Sequence, residues 1–188
     1  VKKHTKFKKK IPIIFPMARK EFDPDGIWSI AVEKIVKTIK KGESVVLLCL
    51  GDTSLFASSS NILRIIKNNY PEIITNTIPG ISSLSAAAAL NDFDLVKKGE
   101  TLIIKECPSS ISELTSLIRD SRGNKTVLAI MKVGKRWNLV RETLKKEDII
   151  NKSLIALSIG MPDQIIQNAS QYKSDVMPYF SLILIRLD

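Results

Sequence analysis

Histidine and cysteine are nearly absent: of 188 residues, one is His and two are Cys. His4 sits in a charged terminal run, so neither a Ser/His/Asp nor a Cys/His arrangement has a base to work with. The spacings CxxC and HExxH do not occur, which removes the common zinc sites, and no residue is assigned to a metal. Cys49, inside an apolar run, and Cys107, just before a proline, read as reduced structural thiols and imply a cytoplasmic protein. The phosphate loop GxxxxGK[ST] and the dinucleotide fingerprint GxGxxG are missing too. Aromatic residues make up only 6% of the chain and no basic stretch interleaves with them, which argues against a nucleic-acid partner. The longest small-apolar stretch, Ala86 to Leu90, falls far short of the roughly 20 residues of a membrane span. Ile11-Pro12-Ile13-Ile14-Phe15-Pro16, behind the basic run Val1 to Lys10, is too short and too broken by proline for a signal peptide. The first residue is not Met, and the chain is expected to begin inside a longer protein.

Apolar residues are plentiful: 44% of the chain is hydrophobic and 26% charged, with Val, Ile and Leu along the whole length, unlike a disordered or low-complexity chain. The length predicts one large domain or two small ones, burying roughly 70% of the surface of the unfolded chain without disulfide staples. A net charge of +10 raises the local concentration of acidic partners, whether nucleic acid, anionic lipid or a polycarboxylate ligand, and does not choose among them. A lysine-rich composition alone would give the same excess.

Asp23-Pro24-Asp25-Gly26 is a cap and turn signal, and Trp28, Val32, Ile35 and Ile39 follow at helical spacing until Gly42. Ser44 to Leu50 is continuously apolar and predicts a strand buried on both faces. A helix is expected over Ser54 to Asn68, a strand over Ile73 to Ile78, and a small-residue helix over Ile81 to Leu90. Strand, glycine turn and helix, twice over, predict βαβ units and a mainly parallel, doubly wound sheet. The pattern loosens over Asn91 to Glu100, which sets a boundary between α/β domains at 1–96 and 97–188. The second domain is expected to hold strands at Thr101 to Lys105, Lys125 to Met131, Ser153 to Ile159, Gln164 to Asn168 and Tyr179 to Leu187, with helices at Ser109 to Asp120 and Arg136 to Lys146. Its last three strands lack intervening helices, so a mixed sheet ending in antiparallel strands follows.

Ligands of open α/β sheets bind beyond the carboxyl ends of the strands, where glycine turns let backbone amides come close. In Leu50-Gly51-Asp52-Thr53-Ser54, Gly51 tolerates close approach and Asp52 can accept from hydroxyl or amine groups, although capping alone also explains a Gly-Asp pair there. Ile78-Pro79-Gly80-Ile81-Ser82-Ser83 places two hydroxyls at a helix N-terminus, and capping explains one of them. No catalytic residue is assigned. What remains is chemistry that asks little of side chains.

Leu50-Gly51-Asp52-Thr53-Ser54-Leu55 followed by Ile78-Pro79-Gly80-Ile81-Ser82-Ser83-Leu84-Ser85-Ala86-Ala87-Ala88-Ala89 resembles the tetrapyrrole methylases, the S-adenosylmethionine-dependent enzymes of cobalamin and sirohaem biosynthesis. Ile14-Phe15-Pro16-Met17 before Trp28 and the closing Pro178-Tyr179-Phe180-Ser181-Leu182 look most like the members that methylate C-20 of precorrin-2, and the resemblance covers nearly the whole chain. It implies two α/β domains with S-adenosylmethionine in the cleft between them, a homodimer, and precorrin-2, a tetrapyrrole polycarboxylate, as substrate. Carried over by motif, Leu50, Gly51, Asp52 and Leu55 contact the cofactor from the first turn, Ser82 and Ser83 from the second, and Met131 and Gly160 from the second domain. Lys132, Lys135 and Arg136 then become candidates for the substrate carboxylates. Thr53 stands where the family usually has proline. The family's N-terminal strand and its GxGPGDP loop have no counterpart, so a first βα unit, on the order of 30 to 40 residues, is expected upstream. Two rivals remain: a methylase of this fold acting on another tetrapyrrole or on ribosomal RNA, and a non-catalytic RNA-binding or interaction module.

Overall fold

The computed structural model describes residues 9–13 and 24–187, which fall into two units, Val1–Gly80 and Ile81–Asp188. The run Val1 to Lys8, the stretch Ile14 to Met17 and the expected cap Asp23 lie outside the described residues.

In the first unit the helical spacing from Trp28 onward gives α1 (Pro24–Ile39), with proline at the start, where its missing N–H has no helical partner to lose. Trp28, Ala31, Val32, Ile35 and Val36 bury against Ile62 and Ile66 of α2 (Ser59–Asn69), two apolar stripes that shield one another from water. Helix α2 starts later than the expected Ser54. Asp52 captures the amides of Ser54 and Leu55, and Phe56 holds φ 53°, so helical dihedrals begin only beyond it.

Ser44 to Leu50 and Ile73 to Ile78, the strands expected in the first domain, join no ladder among the described residues. Burial still alternates as on an extended chain: Val45 and Leu47 pack on the helix pair while Val46, Leu48 and Leu50 are exposed. Ile73 and Ile74 repeat the pattern, one packed and one bare. The expected burial on both faces is therefore corrected to one face. A run with no neighbouring strand described beside it covers only the side the helices touch. The doubly wound parallel sheet of the first domain is thus not drawn by the described residues.

The second unit opens with α3 (Ser83–Ala89) and then alternates β1 (Thr101–Glu106), α4 (Ile111–Ser121), β2 (Thr126–Met131) and α5 (Trp137–Lys146). It closes with β3 (Ser153–Leu157), β4 (Ile165–Asn168) and β5 (Ser181–Leu187). The sheet order is β1-β2-β5-β3-β4: β1 and β2 run parallel, while β5 lies antiparallel to β2 and β3, and β4 antiparallel to β3. The mixed sheet with antiparallel closing strands is as expected from the sequence. Leu128, Ile130, Ile155, Ile183 and Ile185 face Leu114 and Ile118 of α4 and Trp137, Val140 and Leu144 of α5. Val127, Ala129, Ala156, Leu182 and Leu184 on the opposite face are buried as well, which is why these strands are apolar without interruption. Helix α4 is capped at both ends of its first turn: the Ser110 hydroxyl accepts from the Glu113 N–H at 3.2 Å, and the Glu113 carboxylate accepts from the Ser109 N–H at 3.1 Å. Arg186 on β5 donates to Glu100 at 2.7 Å and to the Asp94 carbonyl, and stacks over Phe93, which ties the 93–100 segment to the sheet. Among the described residues no helix is long and apolar enough to cross a membrane.

Candidate functional site

Four of the expected cofactor contacts share one tight turn in the first unit. Gly51 adopts φ 81°, a left-handed conformation that glycine enters at no steric cost. The next residue locks the turn: Asp52 Oδ1 accepts from the Ser54 N–H at 2.7 Å, the Ser54 hydroxyl at 2.5 Å and the Leu55 N–H at 2.9 Å. The Ser54 hydroxyl bond, with the two amides, holds the Asp52 carboxyl below its ordinary value of 3.8, so it is ionised at neutral pH. Its second oxygen takes no hydrogen bond among the described residues. Leu50 is exposed and Leu55 half-buried at the two ends of the turn.

The second glycine turn comes up against the first. A Cβ built on Gly80 would collide with the Gly51 carbonyl oxygen, and would sit 3.1 Å from the Gly51 carbonyl carbon and 3.7 Å from the Asp52 Cα. Backbone rests on backbone here, which leaves room for no side chain. Gly80 is a residue that the motif contained and the expected site omitted. The Pro-Gly pair marked it as a turn, and nothing in the sequence said what the turn would touch.

In the second unit, Ser82 caps α3, its hydroxyl accepting from the Ser85 N–H at 3.1 Å, while Ser83 is half-buried. Met131 ends β2 and pairs with Leu182 on β5, which in turn pairs with Ala156 on β3. The end of β3 therefore lies two strands from Met131, roughly 10 Å at ordinary strand spacing. Four left-handed residues gather at this end of the sheet: Lys132 at φ 56° and Gly134 at φ 45° after β2, Ser158 at φ 49° and Gly160 at φ 79° after β3. Two of them are not glycine. Such conformations cost about 1–3 kcal/mol each and persist where surrounding structure over-determines them, a pattern common at binding sites. Ser158 and Gly134 were not foreseen, since φ at a loop residue is imposed by the strands it joins. Lys132 lies 3.6 Å from Glu106, Lys135 is exposed, and Arg136 approaches the Cys107 thiol, whose pKa burial pushes up to about 11 against the pull of that guanidinium.

A groove of about 680 Å³ runs along β1 and α4, lined by Glu106, Glu113 and Asp120 with Lys105. None of the expected site residues line it, and its acidic balance would repel a polycarboxylate.

The family model for Tetrapyrrole (Corrin/Porphyrin) Methylases matches residues 2–171. The chain belongs to that family. This tetrapyrrole methylase is 24% identical over 173 residues to the cobalt-precorrin-2 C(20)-methyltransferase of Salmonella typhimurium, covering 91% of the present chain and 70% of the other. It is 24% identical over 161 residues to the cobalamin biosynthesis protein CobIJ of Mycobacterium tuberculosis, of which it spans only 30%, with 86% of its own length matched. The cobalt precorrin-4 methyltransferase CbiF superposes with a TM-score of 0.67 at 16% identity, over 85% of this chain and 70% of that one. The uroporphyrin-III C-methyltransferase of Thermus thermophilus, solved with S-adenosylhomocysteine, does so with 0.53 at 16% identity, over 85% and 72%. These superpositions establish the fold.

Proposed function

We propose that this tetrapyrrole methylase binds S-adenosylmethionine and methylates C-20 of precorrin-2, or of its cobalt complex, in cobalamin biosynthesis. The observation that carries the reading is the seating of Gly80 on Gly51. It packs the two glycine turns of the motif backbone to backbone, beside the ionised Asp52 carboxylate. The family supports the cofactor, as does the S-adenosylhomocysteine bound to the Thermus relative. The Salmonella relative supports the carbon that is methylated.

In this reading Leu50, Gly51, Asp52 and Leu55 bind the cofactor from the first unit, and Ser82, Ser83, Met131 and Gly160 from the second. Bound S-adenosylmethionine supplies a methyl group on a sulfonium, and its displacement by a carbon nucleophile releases a neutral thioether. Asp52 Oδ2 accepts hydrogen bonds from the ligand's hydroxyl or amine groups. Glycine at 51 lets the backbone approach the ligand without a Cβ in the way, and glycine at 80 lets the second turn pack on the first. Because a spare Ser83 hydroxyl sits beside the Ser82 cap, it donates or accepts at the ligand without unmaking the helix start. Lys132, Lys135 and Arg136 hold substrate carboxylates and so orient the macrocycle. Orientation can supply roughly 7–11 kcal/mol of such a barrier. A cytoplasmic homodimer belongs to the same proposal.

Calorimetry with S-adenosylhomocysteine tests it. Wild-type protein should bind, and Asp52→Asn, which keeps Oδ1 as the acceptor of the turn and removes the charge, should bind about tenfold or more weakly, the scale of one charge-assisted hydrogen bond. Equal affinity removes Asp52 from the site, and absence of binding to the wild type removes the cofactor.

A further inference from the structure

Two aromatic rings stand half-exposed at the same end of the second unit's sheet as Met131 and Gly160: Tyr179 at 50% and Phe180 at 52%. They pack edge to face, with centroids 5.1 Å apart and planes at 76°. Their backbone is pinned from both sides. The Phe180 carbonyl accepts from the Ser158 N–H at 2.8 Å, the Ser181 carbonyl from the Val133 N–H at 3.2 Å, and the Ser181 hydroxyl from the Gly134 N–H at 2.8 Å. Two of the residues that hold them, Ser158 and Gly134, have left-handed backbone, as does Lys132 next to Val133. A Cβ at Gly134 would come 3.8 Å from the Pro178 carbonyl oxygen and 3.9 Å from the Tyr179 Cα, so the loop that bears Lys132, Lys135 and Arg136 lies directly against the aromatic pair. Lys135 is exposed and makes no ion pair among the described residues.

Rings left in water forgo the stabilisation of burial, and here the backbone that bears them is hydrogen-bonded to the loops after β2 and β3. A fixed aromatic face beside cations recognises a flat unsaturated ring system edged with carboxylates, the rings taking the π-surface and the cations the periphery. We propose that Tyr179 and Phe180 form the aromatic wall on which the polycarboxylate macrocycle rests, one ring face-on to it and the other holding that ring from its edge, with Lys135 meeting the carboxylates. This rests on the tetrapyrrole reading above and adds to it the residues that select a macrocycle over other methyl acceptors.

The probe is uroporphyrin, an octacarboxylate porphyrin, titrated into the full chain and followed by the shift of its Soret band, beside calorimetry with S-adenosylhomocysteine. Tyr179→Leu and Phe180→Leu keep an apolar group and remove the π-face; replacing the ring that lies face-on should weaken porphyrin binding about tenfold, the scale of one stacked ring, and both variants should leave S-adenosylhomocysteine affinity unchanged. Tyr179→Phe should restore binding to the wild-type level. Lys135→Gln should weaken binding and flatten its salt dependence. If the wild type binds porphyrin and both leucine variants bind it equally well, the aromatic wall is refuted and the tetrapyrrole reading stands. If the wild type binds S-adenosylhomocysteine and no porphyrin, the macrocycle assignment fails altogether. Should the leucine variants instead lose S-adenosylhomocysteine, the rings serve the cofactor and the proposal is overturned.

Discussion

Replacing Gly80 with alanine tests the contact on which the proposed first-unit site depends. The added methyl would meet only backbone: the Gly51 carbonyl oxygen in collision, its carbon at 3.1 Å and the Asp52 Cα at 3.7 Å. No flexible side chain end can swing aside, so the two turns must separate. Overpacking of this kind costs about 1–3 kcal/mol, and the lower entropy of the unfolded alanine chain returns about 0.4–1 kcal/mol. A net loss of about 1–2 kcal/mol follows, or a Tm lower by roughly 4–8 °C per kcal/mol for a unit of this size. Each unit buries one tryptophan, Trp28 in the first and Trp137 in the second. Urea unfolding in a Trp137→Phe background therefore reads the first unit through Trp28. Gly160→Ala is the comparison, since φ 79° in open space costs about 1–2 kcal/mol from backbone alone and should leave the Trp28 signal unmoved. Affinity for S-adenosylhomocysteine should fall in Gly80→Ala along with the stability of the turns. A Gly80→Ala protein with an unchanged Trp28 midpoint and unchanged affinity would refute the packing of one turn on the other.

Because Asp52 is held below its ordinary pKa by Ser54 and Leu55, its turn should be fully stabilised above about pH 4 and should loosen as pH falls through the lower folded-state value; a carboxyl carbon NMR titration with a midpoint at or above 3.8 would contradict this. Glu100 is shifted in the same direction, first by its hydrogen bond to Arg186, and Glu100→Gln should leave a pH-stability profile flatter between pH 5 and 3 than that of the wild type. Cys107, with its thiol pKa raised to about 11, should resist a disulfide reagent at pH 8 until urea unfolds the chain, whereas half-buried Cys49 should react in the native state; two equally fast thiols would count against the packing. Ile183→Ala, at a fully buried position in the core that β5 shares with α4 and α5, should cost about 2–5 kcal/mol in chemical denaturation. Amides of Val45 to Leu50 should exchange with deuterium far faster than those of Val127 to Ile130, which sit in the interior of the ladder.

Local chemistry was enough for much of the second unit. The stripe of Leu114 and Ile118 and the unbroken apolar runs of β2, β3 and β5 are short-range patterns, and each element formed close to its expected place, β3 ending two residues before Ile159 and β5 starting two after Tyr179. The family was legible for the same reason, since its motifs are contiguous stretches at two turns.

Partnership was another matter. That β5, last in sequence, inserts between β2 and β3 is a choice among strands of nearly equal hydrophobicity, settled by which faces can be covered at once. Val45 to Leu50 reads as fully buried, yet a strand is buried on two faces only when neighbours lie beside and above it, and the described residues supply one face alone. The meeting of Gly80 with Gly51, and the left-handed turns of Lys132 and Ser158, likewise come from chain segments distant in sequence pressing on one another. Residue identity sets what a segment prefers, and contact with the rest of the molecule decides whether the preference is met.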